Sequence, residues 1–150
     1  MIRKLLDLSE REVSMLFEVE YEILPVLHSV GVMLNEKQIR DEILAKPNQS
    51  VLFIEDGKGF IALLRFVYEE SNILVTSLNI RRQTRKFLRI MYECFKDLEF
   101  DKLMSTVQLT NKASFSFHYK LGLEEVKRGE QAVSFEITKE ALINNLRKYL

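Results

Sequence analysis

Between Asn79 and Lys102 the hydrophobic pattern changes period twice, and nothing else in the sequence narrows the choice of fold as much. Upstream, residues 51–55 and 60–68 are β-rich runs joined by Asp56-Gly57, a dipeptide suited to a tight hairpin turn. Ser71-Asn72 marks a second turn, and residues 73–78 read as a third, antiparallel strand. Beyond Asn79 the period becomes helical. Phe87, Leu88, Met91, Cys94, Phe95 and Leu98 share one face of a helix over roughly 84–98. Residues 102–109 then return to the strand pattern. A strand–helix–strand crossover closes right-handed with a parallel pair, whereas hairpins close antiparallel, so the sheet must be mixed.

The flanking segments complete the order. Residues 2–7 form a short apolar stretch that opens the sheet. Ser9, with Glu12 three residues on, has the capping-box spacing. Val13, Leu16, Phe17, Tyr21 and Leu24 then repeat at helical spacing until Pro25 ends or kinks the run. Residues 25–34 read as a loop, and Asn35 caps a short helix through Ile39, Ile43 and Leu44. Toward the C-terminus, residues 111–121 read as a helix closed by Gly122. Strands over 123–128 and 131–138 turn at Gly129, and Leu142, Ile143, Leu146 and Leu150 mark a last amphipathic helix. The expected architecture is an α/β (α+β) domain: a mixed, mostly antiparallel central sheet of about seven strands with helices on both faces.

A chain of 150 residues fits one domain, 1–150. Its 22 Lys+Arg balance 22 Asp+Glu, and a formal net charge of zero argues against general nucleic-acid binding. The single Cys94 cannot form an internal disulfide, which suits a reducing compartment, and it reads as inert core. No apolar run approaches the roughly 20 residues that cross a bilayer, and the N-terminus turns acidic too early for a signal peptide. The reading is a cytoplasmic protein, monomer or homodimer, with no membrane partner. Metal-ligand spacing, a Ser-His-Asp arrangement and a Walker-type loop are all missing from the sequence, so no metal is expected.

The segment Asn111-Lys-Ala-Ser114-Phe-Ser-Phe117-His118-Tyr119-Lys120-Leu121-Gly122-Leu123 follows the fifth strand. With the element order, it resembles the signature of the GNAT N-acetyltransferase superfamily. That resemblance spans nearly the whole chain in order and spacing, but only this segment is of motif grade. It implies an acyl-CoA N-acyltransferase fold, with acetyl-CoA as co-substrate. It also implies that the strands at 73–79 and 102–109 splay apart. The pantetheine arm would pair in the gap, satisfying backbone groups that are costly to leave unmet. By resemblance Leu78, Asn79 and Ile80 line the arm from the strand, and Asn111, Ser114 and Phe117 from the segment after the gap. Asn111 also suits a plain helix cap, and one residue can serve both ends. His118 stands where the family usually has a Tyr that protonates the leaving thiolate. An imidazole can do this near neutral pH, although a partly buried histidine beside Phe115 and Phe117 needs no such role.

One departure matters. Family members carry two glycines in an Arg/Gln-x-x-Gly-x-Gly/Ala loop, where backbone N–H groups crowd the pyrophosphate at a helix N-terminus. Here the stretch is Arg81-Arg82-Gln83-Thr84-Arg85-Lys86, and no glycine occurs between Gly59 and Gly122. Arg85 and Phe87, or Lys86 and Leu88, take the glycine places, depending on register. Either the cations replace the close backbone fit, since arginine forks suit phosphate oxygens, or the loop has lost its ligand and they only solvate a helix face. No acidic residue lies between Ser71 and Tyr92.

Residues 7–24 hold Asp7, Glu10, Glu12, Glu18, Glu20 and Glu22 against Arg11 alone. In the family this helix lines the acceptor site, where acidic residues would attract an amine; the same cluster also suits a solvated helix face. Glu20 falls on the apolar side, between Phe17 and Leu24, as a base or as the rim of that face. No other general base is visible, and a bound water could relay the proton. The expected function is transfer of an acyl group from acyl-CoA to a primary amine by direct attack, with His118 and Glu20 as catalytic candidates. The alternative is a GNAT-fold binding or regulatory module without catalysis.

Overall fold

The computed structural model describes residues 1–82 and 85–150. Strands β1 (Ile2–Lys4), β2 (Ser50–Asp56), β3 (Gly59–Glu69), β4 (Asn72–Ile80), β5 (Lys102–Gln108), β6 (Glu124–Arg128) and β7 (Ala132–Thr138) form one sheet. Its order is β1-β2-β3-β4-β5-β7-β6. Every neighbouring pair is antiparallel except β4–β5. That one parallel pair is the crossover expected around the helix α4 (Arg85–Phe95).

Helices α1 (Glu10–Tyr21), α2 (Leu24–Ser29) and α3 (Glu36–Leu44) precede β2, α5 (Lys112–Lys120) follows β5, and α6 (Lys139–Arg147) follows β7. The expected capping box forms at α1: Ser9 Oγ accepts from the Glu12 N–H at 3.2 Å, and Glu12 Oε1 accepts from the Ser9 N–H at 3.1 Å. Asn35 and Gln38 do the same at α3. The segment 25–34 departs from the loop expected there, because α2 occupies its first half. Pro25 sits in the first turn of α2, where its missing N–H has no helical partner to lose, so it starts a helix instead of ending one. The β3–β4 turn also falls one residue early, at Glu70-Ser71. Asn72 pairs with Glu69 and its side chain accepts from the Lys102 N–H, tying β4 to β5.

Both faces of the sheet are buried, and the period-two alternation of β2 assigns them. Val51 packs toward Leu16, Val19, Ile39 and Ile43 of α1 and α3. Leu52 and Ile54 pack toward Phe87, Leu88, Met91 and Phe95 of α4 and toward Leu142 and Leu146 of α6. At the far edge, β6 is exposed throughout and charged, which suits an unpaired sheet edge. Gly122 closes α5 with φ +84, and a Cβ there would lie 2.3 Å from Asn145 Nδ2, which donates to the Leu121 carbonyl.

Candidate active site

The parallel strands part early. β4 and β5 pair only at Ile73↔Leu103 and Leu74↔Met104, although β4 runs on to Ile80 and β5 to Gln108. A register shift against β3 makes Thr76 the extra residue of a bulge on β4, and bulges bend and twist a strand locally. A cavity of about 230 Å³ fills the opening between the strands. Residues 75–79 line it from β4, Ser105, Thr106 and Gln108 from β5, and Asn111, Ser114 and His118 from the segment that follows. A second cavity of about 220 Å³ shares Leu78, Asn79, Asn111 and Ser114 with the first and extends outward past Ile80 and Ala113. Thr76 Oγ1 is buried beside this space and has no hydrogen-bond partner among the described residues. An unmet buried hydroxyl is costly, so a polar ligand in the gap would relieve it.

Two buried polar clusters flank the cavity. On one flank, His118 is 3% exposed on α5. Its Nδ1 lies 2.7 Å from the Ser114 carbonyl oxygen, which can only accept. The ring therefore carries its proton on Nδ1, and Nε2 presents a lone pair. Ser105 Oγ, 2.8 Å away, donates to it. Burial holds the His118 pKa below its ordinary 6.5, with the Ser114 carbonyl partly opposing, so the ring is neutral at physiological pH. A neutral ring whose one N–H is spent on a carbonyl is a poor immediate acid. The role expected by resemblance is changed by this geometry: the ring offers a lone pair, through a hydroxyl.

On the other flank, Glu20 of α1 and Arg65 of β3 form a buried ion pair. Arg65 Nε donates to Oε1 at 2.9 Å and Nη2 to Oε2 at 3.1 Å. Arg65 Nη1 also donates to Gln49 Oε1, and Gln49 Nε2 to the Ile43 carbonyl, both at 2.8 Å. Glu20, the expected base, lines the cavity, and both its oxygens accept from the Arg65 guanidinium.

Three cations of the expected phosphate loop are held by the protein itself. Arg81 pairs with Glu22 and lies over the Phe60 ring. Arg82 Nη2 donates to Asp56 Oδ1 at 2.7 Å and holds that carboxyl below its usual range. Arg85 donates to the main-chain oxygens of Tyr149 and Leu150 at 2.9 and 3.2 Å. Lys86 is exposed at the first turn of α4, while Gln83 and Thr84 lie outside the described residues. Leu78 and Asn79 line both cavities, Ile80 the outer one. Asn111 caps α5, its Oδ1 accepting from the Ser114 N–H at 3.2 Å, and it faces the cavity as well. Phe117 is 3% exposed and packs on Phe87 at 5.7 Å, which places it in the core behind the cavity wall. A cysteine role is equally unsupported, since burial raises the Cys94 pKa.

Sequence reasoning missed Ser105, Thr76, Arg65 and Gln49. Two of them left a trace. Arg65 is the one charge in the otherwise apolar run 60–67, and Ser105 breaks the inward alternation of Leu103 and Val107. Among the described residues no group of three His, Cys, Asp or Glu side chains is placed to hold a metal ion, and no helix is long and apolar enough to cross a membrane.

No protein-family model matches the chain, and no curated protein matches it by sequence. Solved structures do match. A ribosomal-protein-alanine N-acetyltransferase from Brucella melitensis is 14% identical with a TM-score of 0.62, over 92% of this chain and 99% of that one. A nucleotide-linked sugar GNAT, FdhC, is 16% identical at 0.66, over 99% and 91%. A spermidine N-acetyltransferase from Vibrio cholerae, solved with CoA and spermine, is 12% identical at 0.65, over 96% and 98%.

Proposed function

We propose that this chain, whose fold is that of the GNAT N-acetyltransferases, transfers an acyl group from acyl-CoA to a primary amine. The observation that carries the reading is the early divergence of β4 from β5, with a cavity in the gap and an unmet Thr76 hydroxyl beside it. An extended chain carrying amide groups fits there, because it can pair with strand edges that have lost each other. Leu78, Asn79, Asn111 and Ser114 would hold that arm. Acyl-CoA would supply the thioester. The phosphate end is less prepared, since Arg82 and Arg85 already have partners and no glycine allows close backbone approach.

The acceptor side favours a cation. Glu42 lines the inner cavity, where Glu20 is balanced by Arg65, and Glu22 lines the outer one, where Arg81 pairs with it. The similar V. cholerae enzyme, solved with spermine, points to the same chemical class. A cationic amine is drawn to such a mouth before it reacts.

The committed arginines favour one second reading, a module that binds without turning over. Isothermal titration separates the two when acetyl-CoA and CoA are titrated and amines are then screened for thiol release. Saturable binding in the micromolar range with release to an amine is the expected result. Binding without release to any amine would support the module, and the absence of heat at millimolar ligand would remove acyl transfer and leave a module that binds another partner.

A further inference from the structure

Resting on the acyl-transfer reading, we propose that Ser105 and His118 form a proton shuttle, with the Ser105 hydroxyl facing the reacting groups and His118 Nε2 holding the proton in transit. Three observations converge on this pair. Ser105 and His118 both line the cavity where the strands part. The Ser114 carbonyl, 2.7 Å from Nδ1, fixes the tautomer and the ring orientation. Ser105 Oγ, 2.8 Å from Nε2, is then committed to donate inward, which leaves its oxygen lone pairs to accept a proton from the cavity. A hydroxyl, a base within reach of it and a third group orienting the base make up the arrangement that moves protons in general acid–base catalysis.

The steps balance. A neutral amine forms a bond to the acyl carbon and gains positive charge. Ser105 Oγ takes one proton from that nitrogen while its own proton passes to His118 Nε2. The acyl C–S bond breaks, and the electron pair leaves with sulfur. The imidazolium returns its proton to Ser105 Oγ, and the hydroxyl gives its other proton to sulfur. One proton has moved from nitrogen to thiol, and the pair ends as it began. No carboxylate is needed, and Glu20, on the same cavity wall, is already held by Arg65.

The surroundings keep the charge on the ring brief, since burial disfavours the imidazolium. Phe135 of β7 packs on the ring at 5.0 Å and Phe117 of α5 at 6.3 Å. Ser105 faces it from β5, and the charged groups that line the same cavity are Glu20, Glu42 and Arg65. The other histidine, His28, donates from Nε2 to the Leu34 carbonyl at 2.8 Å and serves as an internal reference.

The test needs no acceptor. Nitrogen-15 imidazole spectra of the full chain would be recorded free, with CoA, and with desulfo-CoA, for wild type, Ser105→Ala and Ser105→Thr. Bound CoA would place its thiol on the Ser105 hydroxyl, at the end of a hydrogen-bond chain that runs through Ser105 to Nε2. Expected are an Nδ1–H tautomer for free His118 and, with CoA, a hydrogen-bond shift of its Nε2 while the ring stays neutral. Desulfo-CoA should give no shift, Ser105→Ala should lose it and Ser105→Thr should keep it. An Nε2–H tautomer in the free protein, CoA bound without the shift, or an equal shift in Ser105→Ala would overturn the shuttle and leave the acyl-transfer reading standing. Failure of the wild type to bind CoA would overturn both. The desulfo-CoA comparison decides on the wild type alone, should a variant fold poorly.

Discussion

The two buried polar clusters beside the cavity are made of opposite materials. Glu20, Arg65 and Gln49 bring two full charges, and each is answered within the cluster. Ser105, His118 and Ser114 bring none, and they share protons that have more than one place to go. A closed ion pair gains most by staying as it is, and this one holds α1 against β3. A neutral pair on the cavity wall can pass a proton through its hydroxyl, at the cost of a brief charge on the ring. Position on the cavity wall does not distinguish the two. Saturation does.

The strongest way to break the contrast is Arg65→Ala. Glu20, at 5% exposure, would be left as an uncompensated buried carboxylate, with Gln49 short of its donor. Loss of one partner of a buried ion pair costs about 3–5 kcal/mol. Urea denaturation should show a loss of that size. A loss no larger than a surface pair gives would mean that the cluster is solvated and that Glu20 is available as a base after all. Arg65→Ala combined with Glu20→Gln should recover part of the loss, because the charge itself is removed.

His118→Phe probes the other cluster and should cost less, about 1–3 kcal/mol, because a hydroxyl and a carbonyl lose partners but no charge is stranded. Its signature lies in the pH dependence. Burial lowers the folded pKa of His118 below 6.5, so below that pH the unfolded chain binds the extra proton more readily. The contribution is complete above the unfolded value and is lost as pH falls toward the folded one. Wild-type stability should therefore decline on acidification through this window, and His118→Phe should remove that part of the slope. An unchanged slope would mean that His118 titrates alike folded and unfolded, which its burial between Ser105 and Phe135 contradicts.

What the sequence discloses follows the range of the interactions. The capping box at Ser9, the cap at Asn35, the change of period at Asn79 and the cap at Gly122 are local and lie where they were expected, and the β2–β3 hairpin turns one residue later than expected, at Gly57-Lys58. Pro25 is local too, yet it suits two positions, after a helix or in the first turn of one, and only packing chooses. The site depends on distance in sequence. Glu20 meets Arg65 across 45 positions, and Ser105 meets His118 across 13. Arg82 finds Asp56 and Arg85 finds the main chain at Tyr149, so a basic run that looks free in one dimension is largely occupied in three. Charge patterns show which groups exist. They do not show which have been used.

The smallest expected effect applies the same criterion to that basic run. Arg82 is held by Asp56, whose carboxyl is lowered chiefly by that hydrogen bond, with the Lys58 N–H adding to it. Asp56→Asn removes the charge that retains the guanidinium while leaving a side chain of nearly the same size in the turn. If Arg82 serves CoA phosphates at all, it must first leave Asp56, and easing that departure should tighten CoA binding by up to about fivefold, the range of an exposed pair. Calorimetry at low and high salt would read both the gain and its electrostatic origin, since a phosphate contact weakens with ionic strength. Arg82→Ala should then weaken binding, and Asp56→Asn added to it should have no further effect. An identical Kd in all three variants would place recognition in the strand gap alone. The arginines would then be an occupied framework, as the Glu20–Arg65 pair is, and only the uncharged pair would remain to meet the ligand.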